Sequence, residues 1–134
     1  RDGMDIAFCV LNTSSRGMYL ASAGRPVIII GKDGLREIKG NKRSVGYSET
    51  TEPFTNHTIK LEKGDCVYIF TDGYADQFGG PKGKKFKHRR LQETLLANCK
   101  KTMAEQKEIL DKLFENWKGN LEQVDDVCVI GVRV

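Results

Sequence analysis

Two acidic positions have the residue types and surroundings for metal chemistry. Asp72 follows the apolar run Cys66-Val67-Tyr68-Ile69-Phe70 and Thr71, and Gly73 comes directly after it. A side chain at the exit of a buried strand is held rigidly, and a neighbouring glycine lets backbone or ligand approach closely. Asp125-Asp126 stands immediately before a second β-rich run, Val127-Cys128-Val129-Ile130. If the two runs are neighbouring antiparallel strands, the end of one lies beside the start of the other. Asp72 and Asp125 then converge at one sheet edge. Clustered carboxylates repel unless a cation sits between them, and hard ions such as Mg²⁺ or Mn²⁺ prefer oxygen ligands. Two such ions held a few Å apart bind phosphate oxygens and supply a hydroxide nucleophile. A plainer reading exists: Asp72-Gly73 starts an ordinary turn, and Asp125-Asp126 is a solvated corner. Residue types alone leave both open.

These residues depend on the elements around them. Met4 to Leu11 reads as a strand interrupted by Asp5, and Met18 to Ala23 as a second strand after the turn cluster Thr13 to Gly17. Gly24-Arg25-Pro26 turns the chain into Val27-Ile28-Ile29-Ile30. Lys32-Asp33-Gly34 then reads as a hairpin turn, with Leu35 to Ile38 returning. Four strands this close in sequence predict an antiparallel meander, since parallel pairing needs long crossovers. Residues 39–53 read as a loop, with Val45-Gly46-Tyr47 ordered within it, and Phe54 to Leu61 as a strand. A helix is predicted from His88 or Arg89 to about Cys99. Thr102 and Glu105 form a capping box for a second helix carrying Ile109, Leu110, Leu113, Phe114 and Trp117 at helical spacing, ended by Gly119. Val127 to Val134 closes the chain as a strand. Many antiparallel strands, two consecutive helices and one last strand give an α+β class.

Composition narrows the function classes. At 134 residues, with 39% hydrophobic and 30% charged residues, the chain can build a core and is not a disordered tail. No apolar run approaches the roughly 18–20 residues of a membrane span, so no membrane contact is expected of this segment. The net charge of +4 is far below that of a dedicated nucleic-acid binder. Lys82, Lys84, Lys85, Lys87, Arg89 and Arg90 do form an acid-free basic run. It reads as a solvated loop leading into a helix or a docking surface for an acidic protein, ahead of a nucleic-acid patch. Cys9, Cys66, Cys99 and Cys128 form no C-x-x-C pair, which excludes zinc-ribbon and thioredoxin readings. Cys9, Cys66 and Cys128 lie in apolar runs and are expected to be small buried hydrophobes suited to a reducing cytosol. His57 and His88 have no serine or cysteine arranged beside them as a nucleophile. The chain opens Arg1-Asp2-Gly3, with no initiator Met and no apolar leader, and is expected to be a segment of something longer.

Five ordered motifs carry a family resemblance. They are GMDIAFCVLN at 3–12, YLASAGRPVIII at 19–30, LEKGDCVYIFTDGYADQFG at 61–79, KKFKHRRL at 84–91 and VDDVCVIGVRV at 124–134. Together they resemble the SpoIIE-like branch of the metal-dependent protein phosphatases, the type 2C superfamily. Arg25 stands where histidine is common in that branch. The resemblance implies an α-β-β-α sandwich, with mainly antiparallel sheets and helices packed outside. It implies hydrolysis of phosphoserine or phosphothreonine on a protein. Two Mn²⁺ or Mg²⁺ ions would bridge a water that attacks phosphorus directly, and no catalytic side chain is implied beyond the metal ligands. By position, Asp72 and Asp125 would be ligands, Asp126 would orient water or cap the strand start, and Thr71 and Gly73 would shape the ligand turn.

One family element is missing from the sequence. The Asp-x-x-Gly-His-Gly segment that supplies a bridging aspartate does not occur in these residues. Residues 1–134 are therefore expected to be the C-terminal portion of one phosphatase domain, with its first strands and two helices upstream. The resemblance further implies a cytoplasmic bacterial signalling protein with an upstream sensor or receiver domain. Its expected substrate is a phosphorylated STAS-type anti-sigma-factor antagonist. The rival reading is a non-catalytic, phosphatase-like binding module.

Overall fold

The structure is a computed structural model that describes residues 3–46 and 49–134. The chain divides into two compact units, residues 1–69 with 132–134, and residues 70–131.

The first unit is built of strands. β1 (Gly3–Met4) pairs with β6 (Val45–Gly46), and β2 (Ile6–Leu11) pairs antiparallel with β3 (Gly17–Ala23), which pairs with β7 (His57–Lys60). β4 (Val27–Gly31) and β5 (Gly34–Ile38) form a tight hairpin in which Gly31 faces Gly34. β4 also pairs with β8 (Cys66–Phe70), placing Ile29 opposite Val67. The strands therefore fall into a β2–β3–β7 sheet and a β11–β8–β4–β5 sheet, β11 being Val129–Arg133.

This corrects the expected meander. β3 and β4 do not pair: the Gly24-Arg25-Pro26 turn carries the chain from one sheet to the other. The two sheets share one core. Met18, Leu20 and Ile59 from one pack with Val27, Ile29 and Val67 from the other. Such face-to-face packing of antiparallel sheets is the β-β centre of a sandwich. Val27 to Ile30 is buried at every position, which explains its unbroken β-branched sequence.

Several boundaries differ from expectation for local reasons. Asp5 separates β1 from β2 and accepts a hydrogen bond from the Ser44 hydroxyl. The strand expected from Phe54 begins only at His57, and the Phe54 ring instead lies beneath the Arg43 guanidinium at 4.1 Å. Of the ordering expected at Val45-Gly46-Tyr47, the first two residues form β6 and Tyr47 lies outside the described residues. The last strand starts at Val129 rather than Val127.

The second unit is mainly helical. α1 (Gly73–Asp76) is a single turn, followed by a small hairpin of β9 (Phe78–Gly79) and β10 (Lys84–Lys85) that the sequence pattern did not suggest. α2 (His88–Asn98) and α3 (Met103–Lys118) follow. At α3 the Thr102 hydroxyl accepts from the Glu105 N–H at 3.1 Å, and Glu105 accepts from the Thr102 N–H at 3.2 Å. This is the reciprocal capping box expected from the sequence.

An aromatic cluster fills the unit's interior. Tyr74 meets Phe86 edge-on at 5.3 Å and Phe114 at 5.1 Å, while Phe86 meets Trp117 at 5.5 Å. Trp117 thus joins a core, as its place in the apolar stripe predicts. All four cysteines are free, with Cys66 buried and Cys9 and Cys99 half-buried. Cys128 is exposed, contrary to expectation, because it lies before the strand proper on its outward side. Burial pushes the Cys9 thiol above its ordinary range. Among the described residues no helix is long and apolar enough to cross a membrane.

Candidate metal centre

The sequence-predicted acidic residues all lie in the second unit, and main-chain contacts bring their segments together. The Thr71 N–H donates to the Cys128 carbonyl at 3.0 Å, and the Thr71 hydroxyl oxygen accepts from the Cys128 N–H at 3.0 Å. That hydroxyl lies 3.3 Å from the Asp126 carbonyl, to which it donates. Thr71 thus ties the end of β8 to the approach of β11 through both its backbone and its side chain. A valine would keep the shape and lose the hydroxyl bonds.

Gly73 takes the junction one step further. A Cβ on Gly73 would stand 2.2 Å from the Asp126 carbonyl oxygen and 3.0 Å from its carbon. Main-chain atoms on both sides leave no flexible group to move away. Glycine is therefore required here by close approach. Gly73 therefore lies against Asp126, and the segment that follows Asp72 runs beside the one that follows Asp125.

The carboxylates differ in how far they are engaged. Asp72 occupies the N-cap position of α1 but makes no side-chain cap hydrogen bond, and it is exposed. An aspartate at an N-cap normally accepts from the following N–H groups. Asp125 uses one oxygen to accept from the Asp126 N–H at 2.8 Å. Asp125 and Asp126 are both exposed.

The donor type suits Mg²⁺ or Mn²⁺, because carboxylate and carbonyl oxygens are hard ligands. The donor number does not complete a site. Among the described residues no group of three His, Cys, Asp or Glu side chains gathers to hold an ion. A binuclear centre carries about four positive charges, and two or three carboxylates leave much of that charge uncompensated.

Gln77 is a residue the sequence reading passed over. It is 0% exposed, and its side-chain amide donates to the carbonyls of Phe78 and Glu122, each at 2.9 Å. Its main-chain carbonyl accepts from the Phe86 N–H and the Trp117 indole N–H, again each at 2.9 Å. One buried residue therefore joins the end of α1, the β9–β10 hairpin, α3 and the irregular segment leading to Asp125. No local pattern marks this glutamine, and only its tertiary partners reveal its part.

The remaining candidates are occupied elsewhere. Asp5 is engaged with Ser44 in the first unit. Arg25 is half-buried, with its backbone carbonyl accepting from the Ser22 hydroxyl. His57 opens β7 opposite Leu20, and His88 lies against the Phe70 ring at 5.7 Å.

Comparison with known proteins gives this arrangement a class. The SiaA-PP2C domain of Pseudomonas aeruginosa superposes with a TM-score of 0.89 at 25% identity, over 97% of this chain and 51% of that one. The phosphatase domain of SpoIIE from Bacillus subtilis superposes with a TM-score of 0.68 at 16% identity, over 96% of this chain and 57% of that one. A Mn-presoaked structure of the same domain gives 0.71 at 15% identity, over 97% and 56%. The fold is that of a PP2C-type phosphatase domain. The sequence model for the family described as Stage II sporulation protein E (SpoIIE) matches residues 2–134, and the chain belongs to that family. Protein IcfG of Synechocystis sp. (strain ATCC 27184 / PCC 6803 / Kazusa) is 30% identical over 130 residues, 93% of this chain and 20% of that protein. The chain thus spans about half of the solved domains and a fifth of that curated relative.

Proposed function

We propose that residues 1–134 are the C-terminal part of a metal-dependent protein serine/threonine phosphatase domain, and that Asp72 and Asp125 ligate Mn²⁺ or Mg²⁺ in the complete domain. The observation that supports this most is the junction of Thr71-Gly73 with Asp126-Cys128, where a Cβ on Gly73 would stand 2.2 Å from the Asp126 carbonyl. Two ions, when bound, supply charge for the phosphate oxygens and an activated water. This chain's own residues perform narrower tasks. Thr71 clamps the two segments, Gly73 permits their close approach, and Gln77 fixes the helical turn after Asp72 to the segment before Asp125. Asp126 orients water or anchors the strand start.

The phosphorylated substrate is a protein of bacterial signalling, and the family resemblance favours a STAS-type anti-sigma-factor antagonist. An upstream sensor or receiver domain would govern the activity, and the reaction belongs in the cytoplasm. With only part of the ligand set, the 134-residue chain by itself binds Mn²⁺ weakly and hydrolyses little. Calorimetric titration tests this directly, and sub-micromolar Mn²⁺ binding at two sites on the isolated chain would contradict it.

A second reading, a non-catalytic binding module, draws on the shortfall of clustered ligands among the described residues. The preceding sequence of the parent protein separates the two. An Asp-x-x-Gly-His-Gly segment there supports the enzyme, and its absence supports the module.

A further inference from the structure

We infer that the β9–β10 hairpin is a cationic docking arm for an acidic segment flanking the phosphorylated residue of the protein substrate, an inference that rests on the phosphatase reading above. Charge distribution motivates it. The run from Lys82 to Arg90 holds six basic residues and no acid, whereas the whole chain has a net charge of +4. All of the positive excess therefore lies in this one segment, and the rest of the chain is net acidic.

Not all six charges are free to meet a partner. Lys85 pairs with Asp76 at 3.6 Å, and Arg89 pairs with Glu93 at 3.3 Å. The Arg90 guanidinium lies over the Trp117 ring at 4.4 Å and the Phe86 ring at 5.3 Å, which makes it a packing residue. Lys82, Lys84 and Lys87 are exposed and have no ion-pair partner among the described residues. The glycines of the Gly80-Pro81-Lys82-Gly83 turn take positive φ, and this turn carries Lys82 at the hairpin tip.

The mounting of the arm points to a role near the reaction. The Phe86 N–H donates to the Gln77 carbonyl at 2.9 Å, and the Lys87 N–H to the Ala75 carbonyl at 2.8 Å. Ala75 belongs to the single helical turn that starts after Asp72, and the Asp76 N–H donates back to the Asp72 carbonyl at 3.0 Å. The base of the arm therefore stands about one helical pitch, roughly 5 Å, along α1 from Asp72. The other leg is fixed where the Gly80 N–H donates to the Trp117 carbonyl at 2.9 Å. A loop that served only as a connection would not need one leg bonded to the helical turn after the candidate ligand and the other to α3. A fixed row of lysines beside a phosphate-binding edge attracts a peptide that is acidic as well as phosphorylated, and steers its encounter.

The test uses the complete protein that carries this chain, loaded with Mn²⁺, and the variant Lys82→Glu/Lys84→Glu. The substrates are an acidic phosphoserine peptide, a neutral one of equal length and p-nitrophenyl phosphate. The docking arm predicts KM for the acidic peptide raised about ten-fold at low salt, with kcat within about two-fold. The neutral peptide and p-nitrophenyl phosphate should be unaffected. Equal losses on all three substrates, or no change on the acidic peptide, overturn the inference. If the wild type hydrolyses none of them, the phosphatase reading fails. Fluorescence anisotropy with the labelled acidic peptide then decides docking separately: a Kd weakened about ten-fold in the variant supports the arm, and an unchanged Kd overturns it. Duplex DNA that binds through Lys82 and Lys84 and is not displaced by the acidic peptide also overturns it, in favour of nucleic acid.

Discussion

In the strand-rich unit the interior is aliphatic: Met18, Leu20, Val27, Ile29, Ile59, Leu61 and Val67 interlock between two sheets. In the helical unit Leu91 and Leu95 are joined by an aromatic cluster, with Tyr74, Phe86, Phe114 and Trp117 in edge-on and tilted contacts beside the fully buried Gln77. The difference follows from what each unit must hold. Sheets bury regular faces, so β-branched side chains at alternate positions fill the space. The helical unit must fix irregular segments, a single-turn helix, a hairpin and the stretch before Asp125. Directional indole and amide hydrogen bonds position irregular backbone better than aliphatic packing does.

That contrast predicts unequal responses to small changes. Phe86→Ala removes the ring shared by Tyr74, Trp117 and Arg90, and should cost about 3–5 kcal/mol. Urea unfolding followed by the fluorescence of Trp117, the single tryptophan, reads this in the helical unit. A loss under about 1 kcal/mol would mean that the ring cluster is not what holds that unit together.

Gly73→Ala should cost about 1–3 kcal/mol, because two main chains must separate. In the complete protein it should also weaken Mn²⁺ binding at least about ten-fold by moving the Asp126 segment away, as read by calorimetry. Unchanged binding would detach the junction from the metal. In the aliphatic core Ile29→Val should cost only about 0.5–1.5 kcal/mol and leave Mn²⁺ affinity unaltered. A matching loss of metal affinity would erase the distinction between the two units.

The smallest effect concerns pH. The Thr102 hydroxyl, then the Thr102 N–H, hold the Glu105 carboxyl below its ordinary range. Because the folded value lies below the unfolded one, the carboxylate stabilises α3 above the ordinary glutamate range near pH 4, and that contribution disappears as pH falls through the folded value. Circular dichroism on acidification should show more loss of helix in the wild type than in Glu105→Gln. Identical acid profiles would remove the capping box from the account of α3.

Local chemistry was legible in the sequence, and non-local pairing was not. The Thr102 and Glu105 capping box, the start of α2 at His88 and the β4–β5 hairpin are each decided by residues a few positions apart. The allocation of β3 and β4 to different sheets depends on partners far along the chain, and alternation alone cannot supply it. Cys128 shared an apolar run with half-buried valines, yet its exposure depends on where the strand begins. The approach of Gly73 to Asp126 was legible because the glycine and the two flanking apolar runs carried it. The hub at Gln77 was not, since an isolated glutamine has no pattern. Arg90 read as one more solvated cation, although it lies over the Trp117 ring of α3 and the Phe86 ring just after β10.

Anomalous diffraction at the manganese edge, from crystals of the complete protein soaked in Mn²⁺, tests the central claim most directly. The account predicts a peak within hard-cation ligand distance, about 2.0–2.6 Å, of carboxylate oxygens from both Asp72 and Asp125. A manganese peak that leaves these two side chains unliganded would contradict it.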